Sequence, residues 1–253
     1  MFCYFLFIQL GIYNLLMVLI GVLMNKITVK QLEELDVFKN ISKTSFENLA
    51  HFSEVKKYKT GSHVFRDKEE VATLYVVVSG SVSLYKLNES GHKRVIFILG
   101  KGKMINDIII QDLPASINCE IFEDAEILSY DKNVFLSIME QDFLLSKNIM
   151  CSLAMKVRRL YRQLKNATGT IRMEKRLAAK LWKLSKDYGI QAENGVIINM
   201  NISVTYLADL LGSKRETISR SLKILLNENL IEYDNKKIKI INQEKLSQFF
   251  KAP

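Results

Sequence analysis

The chain has 253 residues, 48% hydrophobic and 25% charged, a composition that excludes a disordered or collagen-like chain and leaves room for two separately cored domains. Its net charge of +9 is uneven: from Lys156 onward 20 Lys and Arg stand against 9 Asp and Glu, whereas the first 155 residues hold 16 against 18. A basic C-terminal half fits a phosphate backbone or an acidic membrane surface. Cys3, Cys119 and Cys151 lack paired zinc spacing and are too few for a four-thiolate iron–sulfur cluster, so they read as small buried hydrophobes of a reducing compartment.

Residues 2–24, FCYFLFIQLGIYNLLMVLIGVLM, carry no charge and are long enough to span a bilayer. No basic segment precedes them and no small-residue cleavage site follows, which makes them a poor signal peptide. As a span they would keep the following chain, beginning with Lys26 and Lys30, in the cytoplasm. The competing expectation is that translation begins at Met24 and that the leader is an artefact or dispensable.

From Thr28 to Phe52 the pattern is helical, with Leu32, Leu35, Phe38, Ile41, Phe46 and Leu49 as core positions. Short strands follow to Asp131: EVKKYKT, SHVFRD, LYVVVSG, SVSLYKLN, HKRVIFILG, KMINDIII, SINCEIFED and EILSYD. Glycines at 61, 80, 91, 100 and 102 punctuate them, which predicts a sandwich or jelly-roll barrel. Residues 134–165 then read as one long helix, in which Leu145, Ile149, Leu153, Val157, Leu160 and Leu164 recur every three or four residues. That stripe suits a helix–helix seam, and equally a helix packed only on its own barrel. Met150, Ala154 and Tyr161 widen the apolar zone and favour the seam.

Asn166–Thr170, NATGT, interrupts the pattern as a hinge. A helix over Ile171–Tyr188 follows, with Leu177, Ala178, Leu181, Trp182 and Leu184 as its core stripe, then a strand over Val196–Met200. In residues 203–227 Val204, Leu207, Ala208 and Leu211 share one face of a short helix capped by Ser203, and Gly212 supplies a turn. The next helix opens at Ser213 with Glu216 at capping-box spacing and carries the stripe Ile218, Leu222, Leu225 and Leu226.

Lys214, Arg215, Glu216, Thr217, Ser219, Arg220 and Lys223 fall mostly outside that stripe. Arg can donate two parallel hydrogen bonds to guanine, and Glu can accept from the cytosine amino group. Glu216 and Arg220, one turn apart, can point into one groove. The same pair also fits a solvated intrahelical ion pair with Glu216 merely capping the helix. Leu230–Tyr233 and Ile238–Ile241 are β-prone runs around Asp234, Asn235, Lys236 and Lys237, a hairpin with a basic tip suited to phosphate.

The run GSKRETISRSLKILLNENLIEYDNKKIKI resembles the C-terminal winged helix of the Crp/Fnr family of bacterial transcription factors, and LYVVVSGSVSLYKLNESGHKRVIFILGKGKMI resembles its cyclic-nucleotide-binding β-roll. The resemblance covers nearly everything from Met24 to Ile241 and implies an α+β fold: an N-terminal β-roll over 25–133, a dimerisation helix over 134–165, a hinge at 166–170 and a winged helix-turn-helix over 171–253, behind the leader 1–24. It implies a cytoplasmic homodimeric regulator that reads double-stranded DNA and contacts RNA polymerase. Each half-site should contain TGA, and Arg215, Glu216, Ser219 and Arg220 satisfy both recognition-helix patterns of the family, which leaves the half-site class open. Arg215 and Arg220 would read guanine, Glu216 cytosine, and Ser219 would discriminate; Lys214, Thr205, Thr217, Lys236 and Lys237 would hold phosphates.

In the family's cyclic-nucleotide binders, Gly-Glu and Arg-Ser hold the ribose and phosphate. An ungapped alignment puts Asn106 and Asp107, then Ala115 and Ser116, at those positions. With no cation for the phosphate and with Asp107 repelling it, tight cyclic-nucleotide binding is not expected. His51, His63 and His92 carry no mark of an axial-ligand site, which leaves haem, a small apolar or redox-linked effector, or no effector open. A membrane-anchored sensor whose winged helix mainly makes protein contacts is the alternative class. No nucleophile triad, metal spacing or phosphate-binding glycine loop supports an enzyme.

Overall fold

The computed structural model describes residues 26–167 and 171–252. The apolar stretch 2–24, and with it the membrane-span and start-site expectations, lies outside these residues, as do Cys3 and residues 168–170 of the expected hinge. No helix among the described residues is long and apolar enough to cross a membrane. Two compact units emerge: one holds the chain up to Ser83 with Ile98–Lys156, the other Leu84–Phe97 with everything from Val157 on.

The first unit opens with helix α1, Val29–Glu33, started by a capping box in which Gln31 N donates to the Thr28 hydroxyl while Thr28 N donates to Gln31 Oε1. A 3-10 turn over Asp36–Phe38 leads to α2, Lys43–His51, capped by Ser42. All six core positions expected between Thr28 and Phe52 are buried, each less than 10% exposed. They join Leu74, Val76, Leu128, Tyr130 and Phe135 in one cluster, where each fully buried large apolar side chain contributes about 1.5–3 kcal/mol.

Strands β1 (Glu54–Tyr58), β2 (His63–Phe65), β3 (Thr73–Leu87), β4 (Lys93–Gly100) and β5 (Asn118–Asp131) form a sheet in the order β1-β5-β3-β4, with β2 also on β5. β1 and β2 pair antiparallel with β5. The β-roll expectation holds, with fewer and longer strands than the turn signals suggested. LYVVVSG and SVSLYKLN are one strand, because Gly80 takes φ +73° without ending it: a Cβ there would lie 2.1 Å from Asp124 O, so the glycine permits close passage of β5. SINCEIFED and EILSYD likewise merge into β5. KMINDIII is no strand; Met104 makes one isolated bridge to Val76 and Asp107–Gln111 coil into a 3-10 turn. There β-propensity yields to the buried Asn106 and Asp107, whose side chains find partners only in this coiled path.

The expected single helix over 134–165 is two: α3, Lys132–Gln141, and α4, Phe143–Ala167. The break is Asp142, extended at φ −131° and ψ 99°, whose carboxylate accepts from Leu144 N (2.9 Å), Leu145 N (3.2 Å) and Ser42 N (2.8 Å). Along α4, Leu145 and Ile149 are buried in the first unit's core, whereas Val157, Leu160, Tyr161 and Leu164 are 42–68% exposed. Its stripe thus serves the chain's own core in the first turns and stays open beyond. Cys119 is buried, and burial pushes its thiol far above the usual range; Cys151 on α4 is exposed, against the expectation of buried cysteines.

In the second unit α5, Met173–Tyr188, buries Leu177, Ala178, Leu181 and Leu184, and the half-buried Trp182, expected in the core stripe, packs edge-on against Phe250. A small antiparallel sheet follows in the order β6-β7-β9-β8, from β6 (Gly189–Ala192), β7 (Gly195–Ile198), β8 (Ile231–Asp234) and β9 (Lys237–Ile240). Neither β6 nor the final helix, Gln243–Lys251, was anticipated. That last helix is capped by Asn242 and buries Leu246.

Burial by itself would raise the Asp142 carboxyl; hydrogen bonds from Ser42 N, Ser45 and Leu145 N outweigh it and hold the group at about 2. Since that value lies below the ordinary 3.8, its contribution to stability is present above about pH 4 and is lost as pH falls toward 2. Asp142→Ala should cost about 1–2 kcal/mol at neutral pH in urea unfolding and should flatten this acid dependence.

Candidate nucleic-acid interface

Two helices at a tight turn build the site. The first, α6 (Val204–Leu211), starts where Ser203 Oγ accepts from Tyr206 N at 3.1 Å and ends at Gly212, left-handed at φ +59° and ψ +52°. Tyr206, Leu207, Ala208, Leu210 and Leu211 are buried, while Val204 is half-buried and Thr205 exposed. The second, α7 (Arg215–Asn227), has Lys214 at its N-cap with no side-chain cap. The expected Ser213–Glu216 capping box is therefore absent: Ser213 N donates to Ala208 O at 3.0 Å, closing the preceding helix, so Ser213 lies one residue too early.

Ile218, Leu222 and Leu225 bury the inner face of α7, and Leu226 is half-buried. Lys214, Arg215, Glu216 and Arg220 are exposed, with Thr217 and Ser219 half-buried beside them. Glu216 and Arg220 make no ion pair among the described residues, although they lie one turn apart. Both side chains are exposed.

The wing is tighter than expected. Asp234 pairs with Lys237 and Tyr233 with Ile238, leaving only Asn235 and Lys236 in the loop. Both take positive φ, +45° and +64°, the conformation of a two-residue turn that matches strand twist. Lys236 and Lys237 are exposed at this tip. Ile202 N donates to Lys236 O at 2.7 Å and Tyr233 Oη to Ile202 O at 3.1 Å, which ties the tip to the entrance of α6. Thr205, Lys214 and the two wing-tip lysines are all exposed.

Two residues missed in the sequence stand behind the turn. Arg176 Nη2 donates to Leu211 O at 3.0 Å, satisfying an open carbonyl at the end of α6. Arg94, from strand β4, covers Gly212 so closely that a Cβ there would meet Nη1 at 1.7 Å. Burial, then the charge of Arg176, lowers the Arg94 pKa, and burial with the charges of Arg94 and Arg159 brings Lys180 to about 8. Arg94 lies over a hundred positions before its partner, too far for any local pattern to link them.

The four β-roll positions do not form an open anion site. Asn106 is buried, accepting from Tyr75 N at 2.9 Å and donating to Thr73 O at 2.8 Å. Asp107 is fully buried against Lys156 Nζ at 2.7 Å and Ser152 Oγ at 2.9 Å, so the expectation of a naked repelling carboxylate is corrected: its charge is neutralised by α4. Ala115 is buried and Ser116 exposed. A cavity of about 510 Å³ in this unit is lined by Lys26, Gln31, Lys56, Tyr58 and Glu126, among others, and by none of these four. His51 and His92 are exposed and His63 half-buried. No cluster of His, Cys, Asp and Glu among the described residues suits a metal ion.

Residues 55–142 match the cyclic nucleotide-binding domain family, and residues 175–249 the Crp-like helix-turn-helix domain family. The CRP-like cAMP-activated global transcriptional regulator of Mycobacterium tuberculosis is 22% identical over 84% of this chain and 95% of its own length. The anaerobic regulatory protein of Bacillus subtilis is 23% identical over 77% of this chain and 82% of its own. Among solved structures, FixK2 from Bradyrhizobium japonicum has the same fold at a TM-score of 0.69, with 17% identity over 78% of this chain and 96% of that one.

An alanine at Gly212 would carry a Cβ in a left-handed conformation and press on Arg94. Gly212→Ala should destabilise the second unit by about 1–2 kcal/mol, read from thermal melting.

Proposed function

Because this chain belongs to the Crp/Fnr family of transcriptional regulators and carries its DNA-binding helix-turn-helix, we propose that it acts as a cytoplasmic homodimer reading a near-palindrome with TGA-containing half-sites. The observation that carries this reading is the division of α7: Ile218, Leu222 and Leu225 are spent on the core, while Arg215, Glu216 and Arg220 stand exposed, as do Lys214 and the basic wing tip. Arg220 and Arg215 donate to guanine edges, Glu216 accepts from cytosine and Ser219 discriminates. Thr205, Lys214, Thr217, Lys236 and Lys237 hold the phosphate backbone, which fixes register without reading sequence.

A single α7 covers one half-site. The exposed apolar residues of α4 support pairing of two copies, whose reading helices would enter successive major grooves about 34 Å apart. An effector or redox change in the β-roll would then shift α4 between arrangements that do and do not match this spacing. Bound at a promoter, the dimer would meet RNA polymerase.

Selection from a random DNA pool at stated salt, with the unaltered chain and Glu216→Ala in parallel, tests the reading. It should return a TGA-containing palindrome whose discrimination the variant loses; salt-sensitive binding without sequence preference would overturn it. Arg220→Ala should cost about 1–3 kcal/mol and blur one base position, while Lys236→Ala should weaken all sequences alike. Equal losses on matched and scrambled sites for Arg220→Ala would remove Arg220 from base readout.

A further inference from the structure

Lys156 lies midway along α4 with its side chain only 13% exposed, and the carboxylate it meets, Asp107, is fully buried. Its ammonium donates to Asp107 Oδ1 at 2.7 Å, Met104 O at 3.1 Å and Ile105 O at 3.2 Å, three acceptors for three protons. One turn earlier Ser152 Oγ donates to Asp107 Oδ2 at 2.9 Å, so two side chains of α4 grip both oxygens of one carboxylate. A buried ion pair of this kind adds little net stability, because desolvation offsets the attraction. What it does supply is one geometry.

At roughly 100° per residue, Leu145, Ile149, Ser152 and Lys156 fall on one line of α4. Met150, Val157, Tyr161 and Leu164 fall on another, roughly 120° round the axis. The second set is 42–68% exposed. Leu145 and Ile149 are smooth apolar contacts that tolerate some rotation; the clamp on Asp107 does not. A turn of α4 by one residue step would carry the exposed line out of place.

We propose that Ser152 and Lys156 are positioning residues which, through Asp107, set the axial rotation of α4 and so decide which apolar face it offers to a second copy of this chain. The proposal rests on the dimeric reading above. Displacement of residues 104–107 within the β-roll would release the clamp, which makes this segment the point where a change in the barrel reaches the dimer.

The test uses the full chain with Asp107→Asn/Lys156→Met, Ser152→Ala and, as a surface control, Lys57→Ala. Sedimentation equilibrium gives the dimer dissociation constant and urea unfolding the stability. Removing both charges should leave the unfolding midpoint near that of the unaltered chain while weakening the dimer at least tenfold. Ser152→Ala should weaken it about threefold, and Lys57→Ala not at all. A folded double variant that dimerises like the unaltered chain overturns the clamp; if that variant fails to fold, an unchanged dimer in Ser152→Ala overturns it instead. A monomeric unaltered chain would sink the dimeric reading and the clamp with it, whereas a dimeric chain with indifferent variants sinks the clamp alone.

Discussion

The long helix begins from one carboxylate taken out of water. Asp142 is 6% exposed and would be costly there but for the backbone N–H groups of Ser42, Leu144 and Leu145 that converge on it. Ser42 belongs to the turn before α2, a hundred residues earlier, so the start of α4 is pinned to the N-terminal helices and not merely to the residue before it. From that joint α4 runs 25 residues without a break. A second buried carboxylate, Asp107, holds it again at Ser152 and Lys156. Charge burial, tolerated only where donors are complete, therefore settles where the helix starts and ties it to the β-roll a second time midway.

The reading head works by the opposite rule. Its apolar side chains are sunk beneath α6 and α7, so the polar groups above them owe nothing to the fold. Arg215, Glu216 and Arg220 are exposed and make no hydrogen bond or ion pair among the described residues. What holds this exposed surface in shape is backbone chemistry: a left-handed Gly212, the Leu211 carbonyl taken by Arg176, and a two-residue wing turn tied back through Ile202. Membership of the Crp/Fnr family and this division of labour agree, since a groove reader needs a rigid base and an uncommitted face.

The β-roll is harder to read from sequence than the helix-turn-helix. Asn106 and Asp107 looked like an empty or hostile ligand site when only neighbours in sequence could be weighed. In the fold, Asn106 bonds Thr73 and Tyr75, and Asp107 is neutralised from 49 residues away. The counter-charge arrives on another element, out of reach of any neighbour in sequence.

Local signals sufficed wherever one residue's preference decides the outcome: Ser203 and Gly212 bounded α6, the six apolar positions between Thr28 and Phe52 marked buried faces, and Lys236 with Lys237 marked a basic hairpin. Periodicity and turn chemistry act over a few residues, so they were legible in the chain alone, as was the exposed set on α7. Continuity and partnership were not. Gly80 reads as a turn, yet serves a strand that must pass close to Asp124 O; KMINDIII reads as a strand, yet coils to seat Asn106 and Asp107; Ser213 reads as a cap, yet closes the helix before it. The break at Asp142, the cover of Arg94 on Gly212 and the grip of Lys156 on Asp107 each join residues 49 to 118 positions apart. Such pairings exist only once the backbone has folded, because burial rather than sequence proximity makes an unmet donor or charge expensive enough to dictate the path.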